Sequence, residues 1–211
     1  TQNQAFSAIL FLYRHVEPRD LGNLEGIVRA KRPKRLPVVL TRDEIRKILG
    51  VLKENKWLMC ALMYGTGMRL QECVTLRVKD VDFGAGRIVI RGGKGAKDRR
   101  ALLPVRVREP LRAHLERVRA QHREDLDRDA GWVEVPGAIG REFPNAGREW
   151  SWQWVFPATR CYRHPETGQW RRHHFHETAL QRSFKDAVAQ VKIPKPATCH
   201  TLRHSFATHL L

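Results

Sequence analysis

The run HTLRHSFATHLL at residues 200–211 has helical spacing from end to end. At about 100° per residue, His200, Arg203, His204 and Ala207 fall on one face, and Leu202, Phe206 and Leu210 fall on the opposite one. One face is suited to a core, while His200, Arg203 and His204 load the other with nitrogen donors. A basic helix face on its own is most often only solvated, so its meaning depends on what the rest of the chain brings to it.

Two further clusters lie upstream. In GTGMRLQE (65–72), a pair of glycines allows a tight backbone approach, and Arg69 and Glu72 stand at i, i+3, where a carboxylate can hold a guanidinium in place. In GGKGAKDRR (92–100), Lys94 sits at the tip of a predicted hairpin whose strands are Ile88, Val89 and Ile90 on one side and Ala101, Leu102 and Leu103 on the other. Two arginines, a lysine and a histidine, with no matching set of acidic metal ligands, suit the binding and protonation of a phosphate without a metal. That outfit excludes the commonest nuclease chemistry.

The bulk properties agree with a polyanionic partner. The 211 residues carry 39 Lys and Arg against 22 Asp and Glu, a formal charge of +17, and the pI is near 10.6. Nucleic acid is favoured over an anionic membrane surface, since no basic amphipathic anchor is present and the longest apolar stretch, Trp57 to Tyr64, is too short to span a bilayer. With no signal peptide and four cysteines that include no CxxC pair, the expected setting is a cytoplasm with reduced thiols. A first residue of Thr and a last dipeptide Leu210-Leu211 in mid-pattern suggest that both ends are cut.

Residues 3–16 place Ala5, Ile9, Leu12 and Val16 near one helical face, the expected end of a preceding helical domain (1–28). The segment 29–40, with Arg29, Lys31, Arg32, Lys34 and Arg35 among prolines, is a basic linker, either simply solvated or tracking phosphates. From 41 onward one catalytic domain is expected. Thr41 and Glu44 form a capping-box pattern before Ile45, Ile48, Leu49 and Leu52. A second apolar helix through Leu58, Leu62 and Met63 should break at Gly65. A long helix from Val105 turns Val107, Leu111, Leu115 and Val118 inward and leaves a mixed charge run as a solvated face. Leu180, Phe184, Val188 and Val191 mark another, closed by Pro194 and Pro196, and the last helix begins near Thr198. The predicted class is mainly α with a small antiparallel sheet.

With GTGMRLQE, GGKGAKDR and HTLRHSFATHLL in this order and spacing, the chain resembles the tyrosine recombinase (phage integrase) family from about residue 36 to its end. The resemblance implies that Arg69 and Arg203 stabilise a pentavalent phosphorane, that Lys94 protonates the departing 5′ oxygen, and that His200 assists proton transfer. Glu72 would support the site, and His204 would support it or be merely structural. It also implies a tyrosine nucleophile beyond HxxRH. Tyr13, Tyr64 and Tyr162 all precede that motif, so the nucleophile is expected after Leu211. The resemblance further implies that the strand is passed through a 3′ phosphotyrosine link, so neither cofactor nor metal is expected. The full enzyme would form a homotetramer on DNA.

Residues 130–176 change character, with Trp132, Trp150, Trp152, Trp154 and Trp170 among Gly, Pro, Arg and His, and are expected to be an insertion outside the core. FPNAGREWSWQWVFPA followed by RRHHFHE resembles the extra segment of integron integrases, which recognises bases protruding from a folded single-strand hairpin. Stacking of unpaired bases on aromatics fits these residues, with Trp152, His173 and His174 as candidate contacts and Pro165 as a flanking wall. Two other readings stay open: some of the alternating Trp150, Trp152 and Trp154 must anchor the insertion to the core, and Cys161, His164 and two of His173, His174 and His176 resemble a zinc ligand set. The function implied is integration and excision of gene cassettes. The alternatives are a general phage-type or chromosome-resolving recombinase and, for this length of chain, a non-catalytic DNA-binding module.

Overall fold

A computed structural model describes residues 2–19, 36–92 and 98–211. The chain divides into two compact units, residues 1–36 and 37–211. Lys94 and the linker residues 29–35 lie outside the described residues.

The first unit contains helix α1 (Gln2–Phe11), which continues as a wider π-helical turn over Leu12–Val16. The helix is where periodicity placed it, but it buries none of its residues, and Ile9, Leu12 and Val16 are all exposed.

The second unit is built around one apolar helix. Helix α2 (Arg42–Val51) opens with the predicted capping box, in which Thr41 N donates to Glu44 Oε2 at 2.7 Å and Glu44 N donates to Thr41 Oγ1 at 3.2 Å. Helix α3 (Glu54–Thr66) buries Leu58, Met59, Cys60, Ala61, Leu62 and Met63, an all-round apolar surface that only a central position can accommodate. It runs through Gly65 and stops at Gly67, whose φ of +63° is the left-handed conformation that ends helices. Gly65 is needed for a different reason, since a Cβ there would lie 2.4 Å from Pro104.

Helix α4 (Leu70–Val74) leads through a 3-10 turn at Val78–Asp80 into strands β1 (Val81–Asp82), β2 (Arg87–Ile90) and β3 (Arg99–Leu102). These form an antiparallel sheet of order β1-β2-β3, with Ile88 opposite Ala101 and Ile90 opposite Arg99. The predicted hairpin is β2–β3, while β1 is too short to leave a pattern. Helix α5 (Val105–Asp127) buries Val107, Leu111, Leu115 and Val118 as its spacing requires.

The tryptophan-rich segment holds α6 (Gly137–Glu142) and the hairpin of β4 (Pro157–Arg163) and β5 (Trp170–His174). It corrects the expectation that this segment lies outside the core: Val155 and Phe156 are fully buried in the main cluster. The cause is a backbone splice, in which Val155 N donates to Leu76 O at 2.8 Å and Val78 N to Gln153 O at 3.0 Å, so the chain is drawn across the core at this point. Helices α7 (Glu177–Gln190) and α8 (Cys199–His209) complete the unit, and α8 packs on α3. The buried line of α8 runs through Cys199, Leu202 and Ser205, while Leu210, expected on the core face, is 70% exposed. Ser205 takes the inward position because its hydroxyl is satisfied, donating to Thr201 O at 2.8 Å and accepting from Leu40 N at 2.9 Å. Leu40, at the end of the predicted linker, is therefore core. Among the described residues no helix is long and apolar enough to cross a membrane.

Candidate active site

Glu72 organises the site. Arg69 is the N-cap of α4, and Glu72, one turn in, accepts from Arg69 N at 2.6 Å and from Arg69 Nη1 at 2.7 Å. The same carboxylate takes a bidentate pair from Arg99, Nη1 to Oε1 at 2.9 Å and Nη2 to Oε2 at 2.6 Å. Its side chain is only 7% exposed. Burial pushes the Glu72 carboxyl up, but the hydrogen bonds from Arg99 and Arg69 outweigh it and hold the group at about 2. One acid thereby holds two guanidinium groups that would otherwise repel each other. Arg99 was missed in the sequence because it sits in a basic run. Its signal is parity: Arg99 and Ala101 share the more sheltered face of β3, and Arg100 and Leu102 share the exposed one.

A depressed carboxyl gives a signed expectation. Glu72 adds stability that is present above its unfolded value near 4.5 and is lost as pH falls toward about 2. The urea midpoint should therefore fall across that acid window, and in Glu72→Gln the fall should be shallower. An identical acid profile in both proteins would contradict the assignment.

Helix α8 supplies the remaining donors. Thr198 caps it, accepting from the N3 backbone N–H and donating its own N–H to Thr201 Oγ1 at 3.0 Å. Arg203 Nη1 donates to the carbonyl of Gly67, which fixes the guanidinium beside the α3–α4 turn. Gly67 also meets Phe206, since a Cβ at 67 would lie 2.5 Å from its ring. The rings of His200 and His204 stand edge to face at 4.7 Å. Burial, then the charges of His204, Arg203 and Arg69, push the His200 imidazolium below its ordinary range. Burial, Arg69 and Arg99 do the same to Arg203. Among the described residues Arg69, Arg99, Arg203 and His200 thus share one field with the carboxylate of Glu72, an excess of cationic groups suited to an anion. Of the residues named from the sequence, Arg69 pairs with Glu72, His204 stands against His200, and His200 lies in the field of Arg203 and Arg69.

The tryptophans divide by role. Trp154 is buried, with its indole N–H donating to Arg172 O at 3.2 Å and the Arg77 guanidinium 3.1 Å above its ring. Arg77 is locked there by donation to Trp152 O at 2.7 Å and Glu134 O at 2.5 Å, and burial lowers it to about 10. Trp150 packs against the core. Trp152 is half-buried, with Lys79 Nζ 2.8 Å from its ring centroid. His174 lies edge-on to Trp154 at 5.3 Å and against His173 at 4.1 Å, with His173 exposed. Pro165 is exposed in the β4–β5 turn, toward the other end of β5 from these histidines. A cavity of about 460 Å³ is lined by Glu72, Lys79, Arg91, Trp152 and Trp154, so it joins the active-site carboxylate to the tryptophans. The zinc arrangement is not assembled: among the described residues no three His, Cys, Asp or Glu side chains converge on a metal position, and His164 Nδ1 instead accepts from Thr167 N at 3.3 Å.

The Phage integrase family pattern matches residues 38–211. The chain belongs to this family. Among relatives in the phage integrase family, it is 48% identical over 211 residues to an integrase/recombinase of Escherichia coli, covering 100% of this chain and 63% of that protein. It is 35% identical over 184 residues to tyrosine recombinase XerA of Thermococcus onnurineus (strain NA1), covering 86% of this chain and 51% of the relative. Among solved structures, the Tn1549 transposon integrase in complex with transposon right end DNA shares the fold at a TM-score of 0.61 and 17% identity, over 99% of this chain and 65% of that one. The chain thus spans less than two thirds of the curated relatives it matches.

Proposed function

We propose that this chain is catalytic-domain sequence of an integron-type site-specific recombinase, which integrates and excises gene cassettes by breaking and rejoining DNA strands. The observation that carries the reading is one cavity lined by both Glu72 and Trp152, because a cationic cluster next to an aromatic surface would suit a scissile phosphate beside an unpaired base. In this reading Arg69 and Arg203 bind the non-bridging oxygens of the scissile phosphate as charge builds on them. Arg99 acts through Glu72 to keep Arg69 in place. His200, held toward its neutral form, exchanges a proton at the phosphate, and Lys94 protonates the 5′ oxygen that leaves. A tyrosine later in the complete protein attacks phosphorus to give a 3′ phosphotyrosine and a free 5′ hydroxyl, and a 5′ hydroxyl of another strand reverses the step. Phosphodiester energy is conserved, so the reaction needs no nucleotide cofactor. The partners are folded single-strand and duplex attachment sites, bound by a homotetramer in a bacterial cytoplasm.

Trp152→Ala tests the subfamily. It should weaken binding to a hairpin with protruding bases by about 1–3 kcal/mol, the range for one lost base stack, and barely change binding to the fully paired duplex. Both affinities are to be measured at one salt concentration, on protein with an unchanged melting temperature. Equal losses would favour a general recombinase, the second reading, which the 35% identity to XerA supports.

A further inference from the structure

We propose that Lys79 is a positioning residue for DNA: it covers the ring of Trp152 in the free protein and, when an unpaired nucleotide enters the adjoining cavity, passes to that nucleotide's phosphate. This rests on the reading that Trp152 receives an unpaired base.

Two cation–tryptophan pairs stand side by side, and they are built differently. Arg77 over Trp154 is locked by two backbone carbonyls above a buried ring. Lys79 over Trp152 is neither locked nor deeply buried. Among the described residues Lys79 makes no hydrogen bond or ion pair. Its neighbour Arg91 is engaged by Asp80 at 2.6 Å and Asp98 at 3.4 Å. Among the described residues the Lys79 ammonium contacts the Trp152 ring without a hydrogen bond to hold it, and a four-carbon stem has rotatable bonds to spare.

The surroundings give such a swing a destination. Burial lowers the Lys79 pKa, Asp80 raises it, and Arg91 and Arg77 lower it again. Of the two acids lining the cavity, Glu72 is occupied by Arg69 and Arg99 and Asp80 by Arg91, so an incoming phosphate would be a new anionic partner for the Lys79 ammonium beside the cations Arg77 and Arg91. At about 460 Å³ the cavity falls in the range that holds small ligands, and its lining includes the Trp152 ring and the Lys79 ammonium, an aromatic plane and a cation of the kind a nucleotide needs. A base can use the covered ring face only after the ammonium leaves, so stacking and phosphate capture become one event.

The experiment measures affinity of the wild-type chain, Lys79→Met, Lys79→Arg and Trp152→Ala for a hairpin with one unpaired base and for its fully paired counterpart, between about 50 and 200 mM salt. Lys79→Met should weaken the bulged hairpin about five- to tenfold and the paired one less than about twofold. It should also reduce the salt slope on the bulged hairpin alone by about 0.7 to 0.9, one phosphate contact. Lys79→Arg should keep most of the affinity and the slope. Equal losses on both substrates, an unchanged slope, or a gain in bulged-hairpin affinity would overturn the proposal. If Trp152→Ala abolishes the preference for the bulge and Lys79→Met preserves it, the Lys79 assignment alone fails. A wild-type chain with no preference for the bulge overturns the base-binding reading and this inference together.

Discussion

Arg203→Ala, made in an enzyme that carries the complete catalytic set, should slow strand cleavage about a hundred- to a thousandfold, the usual loss for one donor aimed at developing transition-state charge. Affinity for the uncleaved site should fall far less. Arg69 and Arg99 remain on Glu72 and still present a cationic surface to the ground-state phosphate. In the proposed mechanism Arg203 meets the extra charge of the phosphorane together with Arg69, so the loss should appear in the rate. Arg203 also donates to the Gly67 carbonyl, and its removal frees that carbonyl at the α3–α4 turn. Arg203→Lys separates the two effects, because it keeps a charge but lacks the fork that reaches the carbonyl and a phosphate oxygen together. Single-turnover cleavage should rank wild type above Arg203→Lys above Arg203→Ala. A rate within threefold of wild type for Arg203→Ala would remove Arg203 from the charge-stabilising role.

Much of this arrangement was legible in the sequence where local chemistry decides it. The capping box at Thr41, the inward stripe of α5 and the β2–β3 hairpin follow from spacing alone, and each is formed. Arg69 and Glu72 were legible as a pair because i, i+3 contact on one helical turn is local. Arg99 was not, since its contact with Glu72 depends on the register of β3 against β2, and a one-residue slip would have presented Arg100 instead. The end of α3 was misplaced for a similar reason: Gly65 and Gly67 look alike in sequence, and only the packing of Pro104 against one and Phe206 against the other tells them apart. The status of Val155 and Phe156 was hidden by composition. Aromatic and basic neighbours marked their segment as peripheral, while a backbone splice to Leu76 and Val78 draws those two residues into the core.

The same dependence on long-range contact makes Asp125 the position with the largest expected effect on stability. Its carboxylate takes Arg172 Nε at 2.8 Å and Nη2 at 2.7 Å, while Arg172 Nη1 donates to Ala158 O at 2.8 Å. The two side chains are only 10% and 9% exposed, so this bidentate pair joins α5 to the β4–β5 hairpin with little solvent screening. Asp125→Ala leaves the guanidinium buried with one carbonyl partner, and breaking such a pair costs about 3–5 kcal/mol. A urea midpoint lowered by that amount is the expected result. Asp125→Leu combined with Arg172→Met should recover much of the loss, because an apolar pair carries no desolvation penalty. A double variant as unstable as Asp125→Ala would mean that the site depends on packing volume. An Asp125→Ala protein within about 1 kcal/mol of wild type would mean that water already reaches the pair. His173 and His174 ride on β5 next to Arg172, so, if the proposed base-binding role holds, loosening this pair should erode discrimination between bulged and paired hairpins at temperatures well below global unfolding.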